Sequence, residues 1–345
     1  MKPALPRPGD RARQVVRTTG LAAGTGLGLA AAGAGLVLGE AKLARRTIGE
    51  PTEHAPDPSG SYGHPKRGVK PLRLAVLGDS SAAGLGVDDA AQTPGALLAG
   101  GVARDLGRRV RLDVVAVVGA LSADLDTQVA KALQSPVDLA VIMIGANDVT
   151  HTVWPGDASA RLGRAVATLR AAGAVVVVGT CPDLGTVKPL LQPLKTVAAY
   201  WSRRLATAQA VAVAENDGIA VSLGSLLAEE FSRHEGLWSA DRFHPSADGY
   251  RRVADVLLPS LLEGLGVDIP VSVPVSDGVY DVDVAAGVAA REPGVVVETV
   301  EGEEGVASVG PGRLARLVRR LPLVGRGAPD ERDEEAADEE AEATG

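Results

Sequence analysis

Acyl transfer needs a nucleophile, a base, an acid that holds the base, and donors for an oxyanion. The chain holds a candidate for each. The nucleophile candidate is Ser80, in Gly78-Asp79-Ser80, directly after the apolar run 72–77. A serine hydroxyl is a weak nucleophile at neutral pH and needs a base within hydrogen-bond reach. His244 is a base that titrates in the right range. Asp241, in Asp241-Arg242-Phe243-His244-Pro245, can bind the far imidazole nitrogen and fix the tautomer. Attack on an ester carbonyl creates an oxyanion. The N–H groups of Ser80 and Gly119 and the side-chain amide of Asn147, in Gly145-Ala146-Asn147-Asp148, are the donors on offer. Losing one such donor typically costs about 3–4 kcal/mol of transition-state stabilisation. Glycine at 119 also lets a substrate approach the backbone closely.

Singly, these blocks are ordinary turns and helix entries. Their neighbours read as supports. Asp79 and Asp148 are expected to brace turns, and Ser81 rivals Ser80 by adjacency alone. His151 is expected in a solvated loop near the crevice, and His234 in a structural role. Cys181, the one cysteine, reads as a small buried residue.

The elements that must position these residues follow from periodicity. Apolar runs predict strands at 72–77, 110–118, 139–144, 174–178 and 219–221. Helical spacing predicts helices near 92–107, 123–134, 158–172, 195–216 and 246–262, the last entered from Ser246 as N-cap. Strands alternating with helices imply an α/β fold, a flavodoxin-like three-layer α/β/α sandwich with a five-stranded parallel sheet. All strand ends of a parallel sheet share one edge, so Ser80, Gly119 and Asn147 can meet in one crevice. The loop before the last helix can bring His244 there. Loops 84–95, 149–158 and 180–194 are expected to wall it.

Gly78-Asp79-Ser80, Gly119 after the second strand, Gly145-Ala146-Asn147-Asp148 after the third, and Asp241-x-x-His244-Pro245 near the end resemble the blocks of the SGNH hydrolases, the GDSL-like esterases and lipases. The family's four letters fall on Ser80, Gly119, Asn147 and His244. The fourth residue of the first block is Ser81, not leucine, and the Gly119 block, Val117-Val118-Gly119-Ala120-Leu121-Ser122, departs from the usual form. The resemblance spans 72–265. It implies the flavodoxin-like fold, metal-free hydrolysis through an acyl-enzyme on Ser80, and catalytic roles for Ser80, Asp241, His244, Gly119 and Asn147.

The flanks differ in kind. Residues 1–46 hold a basic start, an uncharged run at 18–38, and Lys42, Arg45 and Arg46. Such a run is long enough to span a bilayer as a helix. The expectation is a membrane anchor with the catalytic body extracytoplasmic, or a cleaved signal and a secreted body. Residues 47–71 contain five prolines and read as a linker. Residues 266–345 read as a low-complexity extension without clear period. They include a short basic amphipathic stretch at 313–326 and an acidic tail. Asp330–Gly345 carries nine acids and one arginine, the whole formal net charge of −8. The body is therefore balanced, and nothing points to nucleic acid. No cofactor is expected, and a nucleotide-binding flavodoxin-like domain is disfavoured because no Gly-rich phosphate loop follows the first strand.

The reading is a serine ester hydrolase acting on a small-molecule or lipid acyl ester. The alternatives are a deacetylase or acyltransferase on cell-envelope glycan, and a non-catalytic envelope interaction module.

Overall fold

A computed structural model describes residues 54–267 in full, and 278–281, 295–299 and 306–311 as backbone strands. The anchor expected at 18–38, the basic stretch at 313–326 and the acidic tail lie outside the described residues. Among the described residues, no helix is long and apolar enough to cross a membrane.

The strands are β1 (Gly60–Tyr62), β2 (Leu72–Gly78), β3 (Val110–Val114), β4 (Leu139–Met143), β5 (Val175–Gly179), β6 (Ile219–Val221), β7 (Gly278–Asp281), β8 (Val295–Thr299) and β9 (Val306–Pro311). The helices are α1 (Ser80–Ala83), α2 (Pro94–Leu106), α3 (Leu125–Ala132), α4 (Ala146–Thr150), α5 (Pro155–Ala171), α6 (Leu194–Ala214), α7 (Leu223–Arg233) and α8 (Ala247–Gly264).

Among the described residues one sheet runs β1-β3-β2-β4-β5-β6-β8-β9-β7. Its middle, β3-β2-β4-β5-β6, is parallel throughout. Those are the five expected strands in the flavodoxin-like order. The sheet is nevertheless larger than the five-stranded one expected. β1 adds antiparallel to β3, and β8 antiparallel to β6, with β9 and β7 beyond. The first of these, β1, is a three-residue strand at the sheet edge, where a strand needs no second buried face and so no long apolar run. So the linker holds a strand, and the C-terminal extension holds three.

Side chains of the central strands are buried on both faces. Leu74 and Val76 of β2 enter one core with Leu98, Leu112, Val141 and Leu257, beneath α2 and α8. Ala75 and Leu77 point the other way, to Ile142, Leu162, Val176 and Val213, beneath α3, α5 and α6. Helix entries follow capping chemistry. The Thr93 hydroxyl accepts from Ala96 N–H at 3.3 Å ahead of Pro94, and Ser246 accepts from Gly249 N–H at 3.2 Å to start α8. Helix α7 is additional to the sequence expectation. It buries Leu223, Leu226, Leu227 and Phe231 along one face.

Candidate active site

Strand β2 has to turn sharply next to β4, and Gly78 makes this possible. Its φ is +132°, and a Cβ there would sit 1.8 Å from the Met143 carbonyl oxygen. Only glycine fits so close to another backbone. Asp79 then caps α1, its Oδ1 accepting from Ser81 N–H at 3.0 Å. The first residue of α1 is Ser80, at the carboxyl edge of the sheet.

The second half of the site is the loop between α7 and α8. It closes on itself: Ser239 N–H donates to the His244 carbonyl at 2.8 Å, and Ser246 N–H to the Leu237 carbonyl at 2.9 Å. Gly86, in the loop after α1, packs against it so tightly that a Cβ would lie 3.0 Å from His244 Cβ. From below, the buried Tyr250 hydroxyl donates to the Leu85 carbonyl at 2.6 Å, tying α8 to that loop.

Across this junction Ser80 Oγ lies 2.8 Å from His244 Nε2, and His244 Nδ1 lies 2.5 Å from Asp241 Oδ2. An ionised carboxylate only accepts, so Nδ1 carries the imidazole proton, Nε2 is the acceptor, and the Ser80 hydroxyl donates to it. Ser80, Asp241 and His244 thus meet as one hydrogen-bonded chain. Asp241 Oδ1 accepts from Ser239 Oγ at 2.7 Å, Phe243 N–H at 2.8 Å and His244 N–H at 2.9 Å. Burial pushes the Asp241 carboxyl up, but the hydrogen bonds from His244, Ser239 and the two N–H groups outweigh it. They hold it well below the usual carboxylate range. Phe243 stands edge-on to the imidazole, centroids 4.9 Å apart.

Gly119 and Asn147 border the same turn. Val117 N–H donates to the Gly78 carbonyl at 3.1 Å, which lays the loop after β3 along the Ser80 turn. Asn147 spends one amide proton on the Ala120 carbonyl, at 3.1 Å, so α4 and the Gly119 loop are joined. Gly119 is exposed with φ +84°, and a Cβ there would meet nothing within 4 Å. Among the described residues, neither the Ser80 nor the Gly119 N–H donates to an acceptor in the chain.

Further side chains, among them Gln128, support the array. Asp148 is the brace expected, but its partner is distant: it accepts from Ser122 N–H at 3.1 Å and Ser122 Oγ at 2.8 Å. That bond fixes the Gly119 loop against α4, and burial raises the Asp148 carboxyl in spite of it. Gln128 holds Gly78 from both sides, Oε1 2.7 Å from its N–H and Nε2 2.9 Å from its carbonyl. Asp79 is fully buried, and burial is the main reason its carboxyl is pushed up to about 6. Cys181 is buried, as expected, and burial raises its thiol far from reactivity. His151 is exposed, its Nδ1 on the Asn147 carbonyl at 2.9 Å. His234 is exposed at the end of α7. Beside the serine lies a small apolar cavity of about 90 Å³, reached by Asp79, Ser81, Leu227, Phe231 and Phe243. Thr180 also lines it, and its hydroxyl has no hydrogen-bond partner among the described residues. No group of His, Cys, Asp and Glu side chains among the described residues could hold a metal ion.

Fold and geometry together define a class: an α/β sandwich with a Ser-His-Asp array at the carboxyl edge of its sheet. Residues 76–252 match the model of the GDSL-like Lipase/Acylhydrolase family. A GDSL-like esterase from Mycobacterium tuberculosis is 39% identical over 300 residues, covering 82% of this chain and 92% of that protein. The chain belongs to that family, and it is a carboxylic ester hydrolase. Solved structures similar to it include an extracellular lipase from Streptomyces rimosus, at 20% identity and TM-score 0.41, covering 56% of this chain and 99% of that one. A psychrotrophic esterase from Pseudoalteromonas sp. is similar at 15% identity and TM-score 0.43, covering 56% and 96%.

Proposed function

We propose that the enzyme cleaves acyl esters through an acyl-enzyme on Ser80. The observation that carries this is the unbroken hydrogen-bonded chain from Ser80 Oγ through His244 to Asp241. His244 Nε2 takes the Ser80 proton as Oγ attacks the acyl carbon, and the imidazolium is held by Asp241. The oxyanion is met by the N–H groups of Ser80 and Gly119 and by the second amide proton of Asn147. His244 passes its proton to the leaving alcohol. A water, deprotonated by His244 in turn, attacks the acyl carbon and releases the acid and the free serine. Ser80→Ala and His244→Ala should each lower turnover of a short p-nitrophenyl ester by about 10⁴-fold or more with the fold intact. A fluorophosphonate probe should label the native protein and not Ser80→Ala. Wild-type turnover in both variants, at unchanged circular dichroism, would sink the assignment.

The run 18–38 supports a membrane tether with the catalytic body extracytoplasmic, or a secreted body if the run is removed. Removal of residues 1–46 should move ester hydrolysis from the membrane fraction to the soluble one. Activity that is soluble with or without the segment argues against a tether.

A further inference from the structure

The rim of the site exposes more apolar surface than the reaction uses. Trp154, Leu191 and Tyr200 are 58%, 59% and 57% exposed, and Val197 is 43% exposed. Trp154 stands just before α5 and Leu191 just before α6, while Val197 and Tyr200 lie on the first turns of α6. Each of these helices begins on the side of the sheet where its preceding strand ends. The four residues therefore share the edge that carries Ser80 and Asn147. Trp154 continues outward the apolar cluster in which Ala146, Val149, Leu184 and Ala198 meet Trp201 and Phe243. Trp154 packs edge-on against Trp201 at 5.8 Å, and the Trp201 indole N–H donates to the Val153 carbonyl at 3.3 Å.

The segment that carries most of this rim is basic. Residues 184–214 contain Lys188, Lys195, Arg203 and Arg204 and no acid. Carboxylates lie among them: Asp157 on the first turn of α5, Glu215 in the groove of Trp154 and Arg204, and Asp183 and Glu229 in the groove of Lys195. Asp183 pairs with Arg203 at 3.0 Å, and Glu229 with Arg233 at 2.7 Å. Arg204 lies over the Tyr200 ring, 5.7 Å from its centroid, and donates to the Tyr200 hydroxyl at 3.1 Å. Exposed Trp and Tyr beside the long cationic side chain of Arg204 suit the headgroup zone of a bilayer, where one end of the residue is apolar and the other wet. Protein interfaces, by contrast, are poor in lysine.

We propose that this rim seats the catalytic edge on an anionic lipid surface. Trp154, Leu191, Val197 and Tyr200 enter the headgroup region, and Lys195 and Arg204 meet lipid phosphates. The docking is a binding property and stands apart from the catalytic assignment and from the tether. Its consequence is that Ser80 faces the bilayer and meets esters presented at that surface.

The test uses the full chain, so that the measured site rather than overall attachment reports docking. Leu191→Cys and Tyr200→Cys are each labelled with an environment-sensitive nitrobenzoxadiazole dye; Cys181 is 1% exposed and does not compete. Gln134→Cys, between α3 and β4 at the opposite edge, is the control. With vesicles of phosphatidylcholine and phosphatidylglycerol, emission should rise about threefold at 191 and 200 and stay flat at 134, with little change on phosphatidylcholine alone. Lys195→Gln with Arg204→Gln should weaken this partitioning about thirty-fold at low salt, the weight of two surface cations on an anionic leaflet. Flat emission at 191 and 200 overturns the proposal, whether or not the protein sediments with the vesicles. So does a rise that tracks protein concentration without lipid, which would mark the face as a contact between two copies.

Discussion

Two carboxylates flank the Ser80–His244 pair, and they are shifted in opposite directions. Asp241 is held well below the usual range, while Asp79 is pushed up to about 6. Burial is the largest influence on both, so burial is not what separates them. Donors are. Asp241 collects hydrogen bonds from Ser239 Oγ, Phe243 N–H, His244 N–H and His244 Nδ1. Asp79 has the N–H groups of Ser81 and Gly145, and another carboxylate, Asp148, near enough to raise it further. The loop from 239 to 244 thus builds its own anion site, and an imidazolium at His244, as the proposed mechanism requires, would find its counter-charge already in place. Asp79 serves the backbone turn instead.

The largest effect should come from removing the charge that the loop stabilises. Asp241→Asn is expected to lower kcat by about 10³–10⁴-fold, because the amide can hold the imidazole in the wrong tautomer. Steady-state kinetics on a folded variant will show it, and a loss below tenfold would erase the contrast with Asp79. Next comes Ser239→Ala, which removes one of the four donors. Its carboxylate should become easier to protonate, lowering kcat/KM about tenfold. Asp79→Asn should change kcat least, by less than about tenfold, because Asn Oδ1 still accepts the Ser81 N–H.

The two carboxylates also predict opposite pH dependences of stability. Asp79 binds its proton more tightly folded than at the ordinary value of 3.8. Its contribution to stability therefore falls as pH rises from about 4 to about 6, and stays low above that. Asp79→Asn should gain in Tm on the wild type across that window. Asp241 runs the other way: its contribution is present above its ordinary value and is lost as pH falls through the folded one. The Tm deficit of Asp241→Asn should therefore narrow in acid. Parallel shifts for both variants would contradict the donor argument.

Legibility from sequence followed the range of the interactions. The central strands were readable because each is buried on both faces and so is apolar without interruption, as in Leu139–Met143. Ser80, Asp241 and His244 were readable because strand end, turn and helix entry leave local marks. The expected strand 110–118 is regular only to Val114, yet Val115 and Val117 still donate to Val76 and Gly78. The spacing of Leu223, Leu226, Leu227 and Phe231 carries α7 openly, although the short apolar run before it draws the eye first. What could not be read was long-range: Ser122 under Asp148, Gln128 around Gly78, Tyr250 under Leu85. Each is one side chain meeting a backbone far away in sequence, and no pattern of types announces that.

The strands at either flank have a bearing on how the enzyme behaves at high concentration. β1 lies against β3 and β8 against β6, so neither side of the parallel unit presents bare backbone donors and acceptors to solvent. Unguarded edges of that kind template strand pairing between molecules. A chain cut back to 72–265 keeps every residue of the Ser-His-Asp array but loses both guards. It should be active when dilute and prone to self-association when crowded, and light scattering against concentration will show whether the flanks act as insulation.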